Sequence, residues 1–183
     1  MDTFLAPIER PQALMMRLVY YFTKKQYGKV LTPLKVYSVR LPLAFGKFYG
    51  NVSKLDKKMI LSAETAMLIR QRVARLNGCP FCIDMGRHAV IQACMNVAKF
   101  NELDAYSTSQ LFSDAERAAL DYATELTWGK KVSQPTFNEL VHYYSEREIC
   151  EIAWLIASEH LYNITNIGLN IHSDMLCDIS MRK

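Results

Sequence analysis

The chain has 183 residues, 50% of them hydrophobic, and a net charge of +4; a chain of that size buries one sizeable core, and it fits one domain over 1–183 better than two. Seven Gly and six Pro exclude collagen-like and low-complexity architectures. Five Cys, an odd number in which only Cys79 and Cys82 are close neighbours, argue against a secreted disulfide framework and point to a reducing, cytoplasmic setting.

The first stretch is basic: residues 1–60 hold eleven Lys/Arg against three Asp/Glu. No charged segment followed by an uninterrupted apolar run and a small-residue cleavage site opens the chain, and Arg17 breaks the apolar run over 13–22, so neither an ordinary signal peptide nor a spanning helix is expected. Residues 1–34 read as a basic helical extension. Its Tyr20, Tyr21, Phe22 and Tyr27 could lie on an acidic membrane surface or touch nucleic acid. The preferred reading is an amphipathic helix over 11–27 that packs on its own domain or a neighbouring subunit, with Lys24, Lys25 and Lys29 reaching solvent. Nucleic-acid binding is not expected.

A second helix is expected over 37–48. Ala66, Ile69, Val73 and Leu76 then mark a helix that begins near Ser62 and stops at Asn77 and Gly78. Pro80 suits the first position of the next helix, because its missing N–H would have had no partner there; Cys79 becomes the N-cap and Cys82 the third helical residue. Ser113 followed by Glu116, and Ser145 followed by Glu148, read as capping boxes. The first opens an amphipathic helix through Ala119, Tyr122 and Leu126 to a stop at Gly129; the second opens a helix apolar on most faces over 149–156 that runs past Asn163. No stretch sustains the alternation of a strand, so the fold class is all-α, and disorder is expected only at the ends.

A thiol pair at a helix start carries chemistry, because unpaired N–H groups and the helix dipole stabilise thiolate over thiol. Two sulfurs at this spacing can also close a disulfide, so that one attacks and the other resolves. Redox, metal and structural readings all stay open from spacing alone. Zinc would need two further ligands, whereas Cys94, Cys150 and Cys177 are isolated and His142, His160 and His172 lack the usual pair spacing. Cys94, placed on the same helix as Cys82, and Cys150 read as buried small hydrophobes.

The block over residues 72–85, Arg-Val-Ala-Arg-Leu-Asn-Gly-Cys-Pro-Phe-Cys-Ile-Asp-Met, resembles the core motif of the alkylhydroperoxidase D (AhpD-like) branch of the carboxymuconolactone decarboxylase family. The resemblance extends to Phe-Ser-Asp-Ala-Glu-Arg-Ala-Ala-Leu over 112–120, as in peroxidase-related members, and to the Asn-containing last helix over 156–169; in all it covers residues 35–175. It implies a helical bundle with the thiol pair at the N-terminus of a central helix. It also implies homo-oligomers (dimers, trimers or hexamers) and reduction of a hydroperoxide or disulfide by Cys82 as attacking and Cys79 as resolving thiol. An external dithiol would supply the electrons, with no cofactor and no metal.

The family's proton relay uses a Glu twelve residues before the first Cys and a His four after the second; here those positions are Met67 and Gly86. His88 falls off the Cys82 face and reads as structural. Glu64, one turn before Met67, is a candidate substitute through water; Arg87 could stabilise a thiolate; and His160 on the last helix could supply an imidazole. Asp84 and Arg87 otherwise read as a solvated surface pair. The alternative reading is a non-catalytic helical oligomer that keeps the scaffold and acts through partner binding.

Overall fold

A computed structural model describes residues 3–177; the chain ends, where disorder is expected, lie in part outside them. The eight α-helices among the described residues are α1 (Leu14–Tyr27), α2 (Pro42–Asp56), α3 (Ala63–Leu76), α4 (Pro80–Gln92), α5 (Val97–Asn101), α6 (Asp114–Gly129), α7 (Gln134–Tyr143) and α8 (Glu146–Gly168). A π-helical turn (Leu34–Ser38) precedes α2, a 3₁₀ turn (Leu103–Ala105) follows α5, and no strand occurs among the described residues.

The helix ends follow local chemistry. Ser113 and Ser145 each accept from the N–H three residues on, while Glu116 and Glu148 reach back to the cap N–H; two orphan donors are satisfied at each end. Gly28 ends α1 at φ 76°, with its N–H on the Lys24 carbonyl. Three expectations need correction. The helix expected over 37–48 is split, because Pro42 has no N–H and forces Leu41 out of the helical region (φ −125°, ψ 54°); α2 starts at Pro42 instead. The left-handed residue that ends α6 is Lys130 (φ 51°), and Gly129 is the last helical residue. The first helix begins at Leu14, three residues later than expected.

Helix α3 is central, packed against α4, α6 and α8. Its Ile69 and Val73 join Ala119, Leu140, Ile152, Leu155 and Ile156 in one cluster. Its opposite side, through Leu68, meets Val90, Phe100, Leu103 and Leu120 in a second. A third cluster joins Met16 and Tyr20 of α1 to Val36, Ala74, Phe81, Ile171, Leu176 and both cysteines of the pair. At about 25 cal/mol per Å² of apolar area removed from water, these clusters are the main stabilising term.

Helix α1 buries Met16, Tyr20 and Thr23 against this core, and the Tyr20 hydroxyl donates to the Ile8 carbonyl at 2.8 Å. Lys29 pairs with the buried Asp174 at 3.0 Å. The face of α1 that carries Leu14, Leu18, Tyr21 and Phe22 is exposed. So is a stripe of α8 through Cys150, Trp154, Leu161 and Ile164. The expectation that Cys150 is buried is therefore corrected: α8 is apolar on most faces over 149–156, yet the bundle covers one side of it. Cys94 is likewise exposed, because α4 ends at Gln92 and Cys94 sits in the turn beyond at φ 52°. No helix among the described residues is long and apolar enough to cross a membrane.

Candidate thiol site

The turn from α3 to α4 follows from three residues. Asn77 ends α3; Gly78 takes the left-handed conformation (φ 66°) that glycine tolerates; its N–H bonds to the Arg75 carbonyl and the Cys79 N–H to the Ala74 carbonyl, both at 3.0 Å. This pair of bonds satisfies orphan carbonyls of α3 and reverses the chain. Cys79 then caps α4: its Sγ accepts from the Cys82 N–H at 3.3 Å, and Pro80 occupies the first helical position. Cys79 and Cys82 form a disulfide with Cα atoms 5.3 Å apart. The sequence-based assignment of cap and third helical residue holds at both cysteines.

The two sulfurs are not equivalent. Cys79 is wholly buried, whereas Cys82 lines a cavity of about 570 Å³. The wall includes Tyr27, Tyr37, Tyr49, Tyr162, Met67 and Met85 beside aliphatic side chains and the charged Asp56, Arg70 and Glu159. Burial pushes the Tyr37 hydroxyl up to about 12 and raises those of Tyr27, Tyr49 and Tyr162, so all four stay neutral.

Helix α8 closes the site with polar side chains that face inward. Asn166 donates from Nδ2 to Cys82 Sγ at 3.4 Å and to Cys79 Sγ at 4.0 Å, and its Oδ1 is buried without a partner. One turn back, Asn163 accepts from Asn77 Nδ2 at 2.9 Å and donates to Glu159 at 2.7 Å. Glu159 also receives Arg70 at 3.4 Å, and Arg70 bonds Asp56 at 2.8 Å. Burial raises the Glu159 carboxyl against the lowering pull of Arg70 and Asn163.

The three further candidates from sequence fall in different places. His160 meets the network: its Nδ1 accepts from Asn77 Nδ2 at 3.1 Å, directly before the thiol turn, and burial followed by Lys130 lowers its pKa. It is held neutral behind the turn, with Nε2 buried and unpartnered. Glu64 is bonded to Lys99 at 2.7 Å, beside Glu116. It lies on α3 seven residues before Gln71, which contacts the Cys82 carbonyl, so roughly two turns or about 10 Å separate it from the thiol end. Arg87 is on the exposed side of α4, and among the described residues no hydrogen bond or ion pair joins it to the pair.

Asp84 is not the solvated residue expected: it is buried and accepts from the Leu176 N–H at 3.0 Å and the Cys177 N–H at 3.4 Å, tying the C-terminal segment to α4. His88 is buried against the Tyr27 ring, centroids 5.5 Å apart.

Sequence reasoning passes over Gln71. Its amide occupies the space beside Gly86 and donates to the Cys82 carbonyl at 3.2 Å; a Cβ on residue 86 would meet its Nε2 at 1.7 Å and its Cδ at 2.5 Å. A side chain at position 86 would therefore have to displace the end of the Gln71 side chain. Gly86→Ala is expected to destabilise the fold by about 1–3 kcal/mol through displacement of the buried amide. In a Gln71→Ala background the same change should become neutral or favourable, since Ala exceeds Gly by roughly 0.5–1 kcal/mol inside a helix. Urea midpoints of the four proteins check this.

No group of three or more His, Cys, Asp or Glu among the described residues could hold a metal ion. No family model matches the chain. The chain is 28% identical over 182 residues to the uncharacterized protein YnjA of Escherichia coli, covering 96% of this chain and 93% of that one. Among solved structures, the debrominase Bmp8, in a cysteine-to-alanine form bound to 2,3,4-tribromopyrrole, superposes with a TM-score of 0.82 at 23% identity, over 100% of this chain and 97% of that one. An uncharacterized peroxidase-related protein of Ralstonia eutropha, described as an alkylhydroperoxidase AhpD core, superposes with a TM-score of 0.77 at 18% identity and covers 93% of each chain. The helical bundle, with its cysteine pair at the head of α4, has the AhpD-like fold.

Proposed function

We propose that the chain is a thiol-dependent oxidoreductase in which Cys82 attacks a hydroperoxide or disulfide entering through the cavity and Cys79 resolves the product. The observation that carries this reading is the inequality of the sulfurs: Cys82 lines the cavity and Cys79 lies wholly behind it. In the reduced protein the α4 N-terminus favours the thiolate. That thiolate displaces an alkoxide from the hydroperoxide, becoming the sulfenic acid, and water protonates the alkoxide. The Cys79 thiol then attacks the sulfenic sulfur and releases water, which leaves the disulfide; an external dithiol returns both electrons.

The loss of acid and base groups at Met67 and Gly86 lowers the expected rate and also supports the alternative, a non-catalytic scaffold. The exposed apolar faces of α1 and α8 support self-association in either reading. A second substrate class is favoured by the tyrosines and methionines in the wall together with the full-length likeness to Bmp8: a brominated aromatic. There, two thiols and the carbon–bromine bond give the disulfide, a carbon–hydrogen bond and hydrogen bromide.

The test is steady-state consumption of an organic hydroperoxide, and bromide release from a bromopyrrole, each with dithiothreitol as reductant. Turnover in the first assay supports the peroxidase reading and turnover in the second the dehalogenating one. Turnover in neither leaves the scaffold.

A further inference from the structure

Met67 and Gly86 bring no proton donor or acceptor to Cys82, which leaves two tasks beside the pull of the α4 N-terminus: a hydrogen bond to the thiolate and a hold on the electrophile. Asn166 is placed for both. It is 2% exposed and lines the same cavity, its Nδ2 lies 3.4 Å from Cys82 Sγ, and its Oδ1 is buried without a partner. A buried amide oxygen left unpaired costs free energy, and a ligand that donates to it recovers that cost.

We infer that Asn166 is a catalytic residue that donates from Nδ2 to the Cys82 thiolate and accepts at Oδ1 from an O–H or N–H of the substrate at, or next to, the atom under attack. The inference rests on the thiol-dependent reading and adds a substrate criterion to it. A hydroperoxide meets the criterion: the oxygen that forms the sulfur–oxygen bond carries the hydrogen that Oδ1 accepts, and that hydrogen remains on the sulfenic acid while the alkoxide leaves. An aromatic disulfide carries no such donor.

The neighbouring geometry keeps the Asn166 amide free for this work. Asn163, one turn away on α8, engages both ends of its amide with Asn77 and Glu159. The charged groups of the cavity wall, Asp56 on α2, Arg70 on α3 and Glu159 on α8, pair with one another rather than with the sulfurs. On the other side, His160 is turned to Asn77. Asn166 is therefore the side chain with a hydrogen bond to both sulfurs among the described residues.

The test uses the reduced full chain with Asn166 intact, Asn166→Ala and Asn166→Asp, each checked by circular dichroism for the helical fold. Loss of the donor should raise the apparent pKa of Cys82 alkylation by about one unit in the Ala variant, a roughly tenfold smaller thiolate fraction near neutral pH, and further in the Asp variant, whose carboxylate opposes the thiolate. After correction for thiolate fraction, reaction with cumene hydroperoxide should fall by a further tenfold or so, while reaction with an aromatic disulfide stays level. An unchanged alkylation pKa in both variants overturns the donor role, since a purely structural residue would not order the variants by charge. Equal losses for hydroperoxide and disulfide in the variants overturn the acceptor role. An intact protein inert to both overturns the acceptor role and the preceding reading together, and the alkylation pKa then still decides the donor role.

Discussion

Cys82→Ser is expected to lower hydroperoxide consumption by about 10³-fold or more, because the group that forms the covalent intermediate is gone and no other thiol lines the cavity. Cys79→Ser should behave differently. It keeps the cavity-facing sulfur, so one equivalent of hydroperoxide reacts and the Cys82 sulfenic acid accumulates, trappable by a dione reagent and visible by mass spectrometry. Turnover with a small-molecule thiol should then be slow, since an external sulfur must reach a site that Cys79 reaches from within. The asymmetry between the two variants is the direct consequence of one sulfur lining the cavity and the other lying behind it. Equal loss in both variants at the first turnover would contradict it.

The largest expected effect on stability is at Asn163. Its amide is fully buried and joins three elements: Asn77 at the end of α3, Glu159 one turn earlier on α8, and through Glu159 the Arg70–Asp56 pair that reaches α2. Asn163→Leu leaves the Asn77 amide with His160 alone and the raised Glu159 carboxyl without its shortest hydrogen bond. The buried Glu159 and the half-buried Asn77 each lose a partner, at about 1–3 kcal/mol for the buried group and less for the other, so an overall loss of roughly 2–4 kcal/mol is expected in urea unfolding at neutral pH. Because the protonated carboxyl needs less from its surroundings, the loss should shrink as the pH is lowered and Glu159 takes up its proton, at a higher pH than an ordinary carboxyl does. The sign is set by burial: a carboxyl whose folded pKa is raised binds protons more tightly than the unfolded chain does, so stability falls as pH rises from the unfolded value of about 4.3 through the folded one. Replacing the Asn163 acceptor and donor with a hydrocarbon steepens that fall.

The legible part of the sequence is the part that local chemistry decides. Asn77, Gly78 and Pro80 encode a helix stop, a left-handed turn and a helix start within four residues, and the cap assignments of Cys79 and Cys82 follow without knowledge of the rest of the fold. The two capping boxes are equally local. The helix expected over 37–48 fails because apolar periodicity is a weaker constraint than the proline at 42, whose backbone geometry decides where α2 begins. Cys150 departs from expectation for another reason: residue type says how a side chain prefers to sit, but which side of α8 the bundle covers depends on partners far along the chain; Cys94 departs because α4 stops at Gln92, short of it.

The polar part of the site is the least legible. Asn163 and Asn166 are three residues apart on α8, and with Glu159 they mark one inward polar face; that spacing is a usable signal. Gln71 has no comparable mark, because its significance lies in the missing side chain at Gly86 and in the Cys82 carbonyl, which its amide meets across the α3–α4 contact. Spacing of that kind, between two helices joined by a tight turn, carries no periodic signal in a sequence.

The most direct test of the thiol-dependent reading is a single-turnover experiment on the reduced chain. One equivalent of cumene hydroperoxide is added without reductant, and the protein is alkylated and weighed by mass spectrometry while the alcohol product is counted. The account predicts one alcohol per chain, with Cys79 and Cys82 protected from alkylation as a disulfide and Cys94, Cys150 and Cys177 still labelled. Hydroperoxide left unconsumed while Cys79 and Cys82 both remain open to alkylation would contradict it.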